Sequence, residues 1–319
     1  MALCSIKFVP LHPIMKKLLF GIIAALMCFG CGQSYEETKQ KTRAQQRRLA
    51  REDSAALKIA VMPTLDCLPL FIAEDHQLFD TIVDIRLKAF TAQMDCDTAV
   101  AYGRVEGLVS DLVRTERLQK LGTPLCYVAA TNAYWQLITN RNARIRELKQ
   151  LDDKMVAMTR YSATDLLTSV AVDSAKLKTE RVFRIQINDV NIRLRMLIGN
   201  ELDAMFLTEP HATQARQQKH RVLMDSRLLD LKAGVLAFSE KAMKNKKREQ
   251  QLEKFMKAYN QACDSLACQG VKGYRDVVEK YCHVNGAVLD SLSKYVTYEH
   301  ATLPRPSDVE RAKEWVKNL

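Results

Sequence analysis

Leu57-Lys-Ile-Ala-Val-Met-Pro-Thr-Leu-Asp-Cys-Leu-Pro-Leu-Phe-Ile-Ala-Glu-Asp-His-Gln-Leu-Phe79 is the stretch whose reading decides the fold. Residues 58–62 form a short apolar run of the length of a buried strand, and Pro63-Thr64 breaks it. Residues 68–76 then read as a helix, with Asp66 near its N-terminus, where unpaired N–H groups favour a carboxylate. A buried strand running straight into a helix is the first half of a β–α unit.

The pattern continues down the chain. Residues 83–90 read as a second strand, in which Asp84-Ile-Arg-Leu-Lys alternates as a half-buried strand does. A short helix follows over 97–102, capped near Asp95 and Asp97, and then a strand over 107–109 that ends at Ser110-Asp111. Strand 126–130 leads into extended chain over 134–140. Strand 155–159 with helix 163–172, strand 183–187 with helix 190–198, and strand 204–207 ending at Thr208-Glu209-Pro210 repeat the unit. After 234–238 the chain turns helical over 249–265, 273–282, 287–295 and 307–317, the last with Pro306, Ser307 and Glu310 resembling a capping box. Strands alternating with helices predict an α/β protein with mainly parallel sheets.

The front of the chain carries a different message. Lys16 and Lys17 lead an apolar run over 18–29, followed by Gly30 and Cys31. That is the layout of a secretory signal. The run is too short for a membrane span, which needs about 20 apolar residues. A cysteine just after the small residue gives a bacterial lipoprotein signal, in which Cys31 takes the lipid and becomes the new N-terminus, although Cys28 stands where the usual lipobox has Leu. Residues 1–30 are thus expected to be a signal peptide and 31–56 a charged tether, solvated and partly helical, since Glu, Lys, Arg and Gln dominate it. The expected location is the periplasmic side of a bacterial membrane, held there by the lipid.

The 319 residues are 47% hydrophobic and 27% charged, which suits one or two globular domains. The net charge is +11, and +8 without residues 1–30, which hold Lys7, Lys16, Lys17 and no acid. The cations are scattered, and neither an aromatic-studded basic strand nor zinc-finger spacing accompanies them, so no nucleic-acid partner is expected. Six of the nine cysteines remain beyond Cys31, namely 67, 96, 126, 263, 268 and 282; some of them can pair in an oxidising exterior, and the sequence does not choose among pairings. Cys263, Cys268 and Cys282-His283 are spaced more loosely than a zinc pair and read as buried structural cysteines, so no metal and no cofactor is expected.

Four blocks in order carry a family resemblance. The opening stretch 57–79 resembles that of the solute-binding proteins of ABC importers for sulfonates, nitrate and thiamine-type pyrimidines, the SsuA/THI5-like (NMT1-type) branch of type 2 periplasmic binding proteins. Gly103-Arg-Val-Glu-Gly-Leu-Val-Ser-Asp111 resembles a strand of that family. Ile145-Arg-Glu-Leu-Lys-Gln-Leu-Asp-Asp-Lys-Met-Val-Ala157 resembles the start of its second lobe, without the family's glycine. Leu197-Ile-Gly-Asn-Glu-Leu-Asp-Ala-Met-Phe-Leu-Thr-Glu-Pro210 resembles its Leu-x-x-Gly-x-Val-Asp-Ala…Glu-Pro block. The resemblance covers residues 57–319 and implies two α/β lobes joined by two crossover strands, a small-molecule ligand between them, and an ABC permease as partner of a monomer. Expected lobes are 57–131 with 230–319, and 132–229.

Open α/β sheets bind ligands beyond the carboxyl ends of their strands. The polar groups there are Thr64 and Asp66; Asp97 and Thr98; Ser110 and Asp111; Asn132; Arg160, Tyr161, Ser162 and Thr164; and Glu209, with Trp135 placed to stack on a flat ligand. Asp97 and Thr164 also suit helix caps, and Glu209-Pro210 also suits a turn. Acids outnumber Arg160 in these loops (Asp66, Asp95, Asp97, Asp111, Asp165 and Glu209), which points to a neutral or amine-bearing solute such as a pyrimidine. An enzyme or a ligand sensor on the same fold is the alternative. No zincin, P-loop or Gly-x-Ser-x-Gly motif occurs, and a helix separates Cys67 from His76, so catalysis is not expected.

Overall fold

Burial along the whole of β1 (Leu57–Val61) fixes the layering, because a strand apolar on both faces needs helices on both sides. The structure, a computed structural model, describes residues 35–79, 83–292 and 296–319. The signal 1–30 and Cys31 lie outside the described residues, as do 293–295 of the expected helix 287–295. Residues up to Ala55 and residues from Ala56 onward are two separate units. In the first, α1 (Tyr35–Ala55) is a continuous 21-residue helix with a mostly exposed surface, more regular than a partly helical tether.

In the second unit β1 turns through a 3₁₀ segment, Leu65–Cys67, into α2 (Leu68–Asp75), whose Pro69 sits in the first turn, where its missing N–H costs nothing. There follow β2 (Ile85–Ala89), α3 (Gln93–Ala101), β3 (Gly107–Asp111), α4 (Leu112–Lys120) and β4 (Leu125–Ala130). The chain then crosses to β5 (Gln136–Thr139), β6 (Lys154–Met158), α5 (Ala163–Ser174), β7 (Val182–Gln186), α6 (Val190–Ile198), β8 (Ala204–Leu207), α7 (His211–Gln217) and β9 (Arg221–Asp225). It returns to β10 (Gly234–Ser239), α8 (Glu240–Met243), α9 (Glu249–Gln269), α10 (Arg275–Cys282), α11 (Gly286–Asp290) and α12 (Pro306–Lys317).

Two five-stranded sheets result, ordered β2-β1-β3-β10-β4 and β7-β6-β8-β5-β9, one in each of two lobes. They are mixed rather than simply parallel. β10 runs antiparallel to β3 and β4, and β5 antiparallel to β8 and β9, because each is the strand by which the chain enters from the other lobe. Some local expectations change. α3 begins four residues before 97 and Ala92, not an aspartate, is its N-cap. α12 starts on Pro306 after Arg305 with no side-chain cap, so the capping box does not form. α4, α7 and β9 were not anticipated. All six described cysteines are free thiols.

The two crossings are bonded to each other. Trp135 N–H donates to Ser226 Oγ at 2.9 Å, and Ser226 N–H to the Trp135 carbonyl at 3.0 Å. Thr131 N–H donates to the Gly234 carbonyl at 2.9 Å. Gly234 permits this approach, since a Cβ there would stand 2.3 Å from Thr131 Oγ1 and 2.6 Å from Ala133 Cβ.

The lobes also grip each other across the cleft. Asp111 ends β3 and caps α4, its Oδ1 accepting from Arg114 N–H at 3.0 Å, and the same oxygen accepts at 3.0 Å from Ala163 N–H, which opens α5 in the other lobe. Leu65 N–H donates to the Glu209 carbonyl at 2.9 Å, Arg114 Nη1 to the Arg160 carbonyl at 3.2 Å, and the Arg117 guanidinium lies 4.5 Å over the Tyr161 ring.

Two outcomes follow from these contacts. Burial raises the Asp111 carboxyl from 3.8 to about 6, the Arg114 cation opposing it. A raised acid lends stability below its unfolded value and loses it as pH rises through the folded one, here about 3 kcal/mol between pH 4 and 7. Asp111→Asn keeps an oxygen for both N–H groups, so denaturant titrations across that range should show the variant gaining on the wild type as pH rises. Gly234→Ala forces the crossing away from β10 and should cost about 1–3 kcal/mol, read as a Tm lower by several degrees.

Candidate functional site

Between the lobes, at the carboxyl ends of β1, β3, β6 and β8, lies a cavity of about 60 Å³. It is walled by Met62, Thr64, Asp66 and Cys67 from the first β–α turn, Gln93, Val109, Ser110 and Asp111 from α3 and β3, Ala133 and Trp135 from a crossing, and Thr159, Ser162, Thr164, Val190, Arg193, Phe206, Leu207, Thr208 and His211 from the second lobe. It lies where switch-point logic expects a ligand.

Of the residues predicted from the sequence, Thr64, Asp66, Ser110, Asp111, Trp135, Ser162 and Thr164 meet at this cavity. The other six are employed elsewhere. Asp97 forms a buried ion pair with Arg114. Thr98 is exposed and donates to the Met94 carbonyl at 2.8 Å. Asn132 donates to the Thr297 carbonyl at 2.8 Å. Arg160 is exposed, and Tyr161 sits in the left-handed region, φ 58°, with its ring under Arg117. Glu209 is 2% exposed and saturated: its oxygens accept from Tyr134 Oη at 2.8 Å, Thr213 N–H at 3.0 Å and Thr213 Oγ1 at 2.7 Å, and pair with Arg216 at 2.7 Å.

The acid excess behind the expectation of an amine-bearing or neutral solute does not reach the cavity. Asp97 has Arg114, Glu209 has Arg216, Asp165 has Arg184 at 2.8 Å, and Asp95 is exposed; only Asp66 and Asp111 line the walls. Against them stands Arg193, which the sequence reading missed. It is 5% exposed; Nη1 donates to the Phe206 carbonyl at 3.0 Å, and desolvation lowers it only to about 10, so it stays cationic. His211 beside it is lowered to about 4 by burial and by that cation. Its Nε2 meets Asn191 Oδ1 at 3.0 Å; an amide oxygen only accepts, so the proton sits on Nε2 and Nδ1 is a bare acceptor.

Buried polar atoms are nearly always paired, and exceptions call for an explanation. Four side-chain atoms of the cavity wall have no partner: Asp66 Oδ1, Thr159 Oγ1, Arg193 Nε and His211 Nδ1. Two sit in Arg and Thr donors and two in acceptors, with burial raising the Asp66 carboxyl. Cys67 offers no nucleophile, since burial and Asp66 push its thiol well up, and His76 is exposed. Among the described residues no group of three His, Cys, Asp or Glu is placed to hold a metal, and no helix is long and apolar enough to cross a membrane.

The fold has solved counterparts. The ligand-binding component of an ABC-type import system from Staphylococcus aureus, with zinc bound, is 16% identical over 82% of this chain and 91% of its own, at a TM-score of 0.70. The alkanesulfonate-binding protein SsuA from Xanthomonas axonopodis pv. citri, bound to MOPS, is 18% identical over 83% and 91%, at 0.69. The periplasmic nitrate-binding protein NrtA from Synechocystis PCC 6803 is 12% identical over 83% and 86%, at 0.68. No curated protein matches by sequence. The family described as NMT1/THI5 like matches residues 65–269, more than half of the chain, and with the two-lobed periplasmic-binding-protein fold in place the chain belongs to that family.

Proposed function

We propose that this protein is an extracytoplasmic solute-binding lipoprotein that hands a small organic solute to an ABC importer, without altering it. Residues 57–131 and 230–319 form one lobe and 132–229 the other, behind a signal (1–30) and a tether (31–56) anchored through Cys31. The family, and neighbours named as the ligand-binding component of an ABC-type import system, an alkanesulfonate-binding protein and a periplasmic nitrate-binding protein, support the reading. The single observation that carries it is the interlobe cavity at the strand ends, four of whose lining residues, Asp66, Thr159, Arg193 and His211, hold a buried polar atom without a partner.

Those atoms also narrow the solute. Arg193 and Thr159 suit an oxyanion, while His211 Nδ1 and Asp66 suit N–H groups. A cavity of about 60 Å³ is small. A short aminosulfonate satisfies both ends and fits better than the pyrimidine; nitrate satisfies the anion end alone.

A thermal-shift panel of aminosulfonates, plain sulfonates, nitrate, amines and thiamine-type pyrimidines tests this. A true ligand at about 100 times its Kd adds about 2.7 kcal/mol. Aminosulfonates should give the largest shift, and Arg193→Met should weaken them at least tenfold, the loss expected of a hydrogen bond from a charged group. A panel that leaves the melting curve unmoved removes the small-solute reading. For the anchor, Cys31→Ser should release the protein from the membrane fraction and abolish incorporation of labelled fatty acid; retention in the membrane counts against lipidation.

A further inference from the structure

The cations of the tether are spread out in sequence and lined up in space. Residues 38–51 hold six of them, Lys39, Lys41, Arg43, Arg47, Arg48 and Arg51, and no acid. Residues four apart share a face of a helix, so α1 sets Lys39, Arg43, Arg47 and Arg51 in a row over about 18 Å of its length. Lys39 is half-buried and the three arginines are exposed. We propose that this stripe is a docking face for an anionic phospholipid surface, along which α1 lies lengthwise.

The stripe is costly by itself. Like charges four apart destabilise a helix, and here that spacing recurs three times in succession. Arg48 has an acid, Glu52 at 3.4 Å, whereas Arg43, Arg47 and Arg51 make no ion pair among the described residues. A partner carrying its own row of negative charge removes that repulsion. The helix offers such a partner little else. Leu49, 51% exposed, is its only large aliphatic residue, so it has no apolar stripe to fill a protein groove or to sink among acyl chains. Arginine supplies three of the four positions, and its planar fork matches the oxygens of a phosphate headgroup.

The place of the helix in the chain favours a membrane as that partner. Tyr35 follows Cys31 by four residues, at most about 14 Å of extended chain. A lipid on Cys31 therefore delivers the stripe to the headgroups, and a lipid chain with a polybasic segment beside it is a pair of signals that gives stable anchoring. This delivery rests on the reading of Cys31 as the anchor; the stripe itself does not.

The test follows amide exchange over residues 35–55 of the full chain by mass spectrometry, on vesicles of phosphatidylcholine alone and of equal parts phosphatidylcholine and phosphatidylglycerol. Exchange over 39–51 should slow about fivefold or more on the mixed vesicles only, the effect of a single cation held at such a surface. Molar salt should restore it, since the Debye length then falls to about 3 Å. Arg43→Gln with Arg47→Gln and Arg51→Gln keeps good helix formers and should abolish the difference between the vesicles, while Lys241→Gln with Lys246→Gln and Lys247→Gln leaves it in place. Equal exchange on the two vesicles, a difference that survives molar salt or the triple arginine variant, or slowing by duplex DNA without slowing by the mixed vesicles each overturns the proposal. The intact mass of the same sample shows whether Cys31 carries a fatty acid. Slowing on the mixed vesicles without that added mass keeps the docking face and removes the anchor; the added mass with equal exchange keeps the anchor and removes the docking face.

Discussion

Asp111 holds the first turns of two helices that lie in different lobes. One oxygen accepts from Arg114 N–H in α4 and from Ala163 N–H in α5. Helix N-termini leave N–H groups without partners, and two of them meeting across a gap need an acceptor between them. The Asp111 oxygen supplies that acceptor to both and so ties one helix start to the other. Three further contacts join the same two lobes, Leu65 to Glu209, Arg114 to Arg160 and Arg117 over Tyr161. The interlobe cavity adjoins this contact, with Asp111 in its wall.

Several buried acids and arginines are matched in pairs: Asp97 with Arg114, Asp165 with Arg184, Glu209 with Arg216. Breaking such a pair from one side strands a buried charge, so these groups keep the lobes in shape and are poor ligand contacts. Arg193 has no such acid. Its guanidinium holds only a backbone carbonyl and leaves Nε unpaired on the cavity wall.

The β–α rhythm showed where strands end, and hence where the cavity lies, because side-chain period and chain breakers are local signals. Helix α6 matches the range read from its apolar spacing, Val190–Ile198. The reversal of β5 and β10 was not legible, since strand direction depends on how the chain re-enters a sheet. Nor were the acid–base pairs, whose partners stand up to 19 residues apart with nothing local to join them. Arg193 did leave a trace. It lies three residues after Val190 and four before Leu197, on the buried face of its own helix, where an arginine needs a reason. His211 left a weaker one, as the first residue of α7 just past the end of β8.

The order of the strands also bears on how the chain is made. All five strands of the second sheet lie within residues 136–225, one uninterrupted stretch. The first sheet needs β10, and its core needs Phe255 and Tyr259 from α9, so it stays unfinished until much later residues emerge. During synthesis the inner lobe can therefore be complete while the lobe begun first still shows the bare edge of β3, an apolar strand with no neighbour on that side. That edge is the part of the growing chain most open to wrong pairing until residues 234–239 arrive to close the gap.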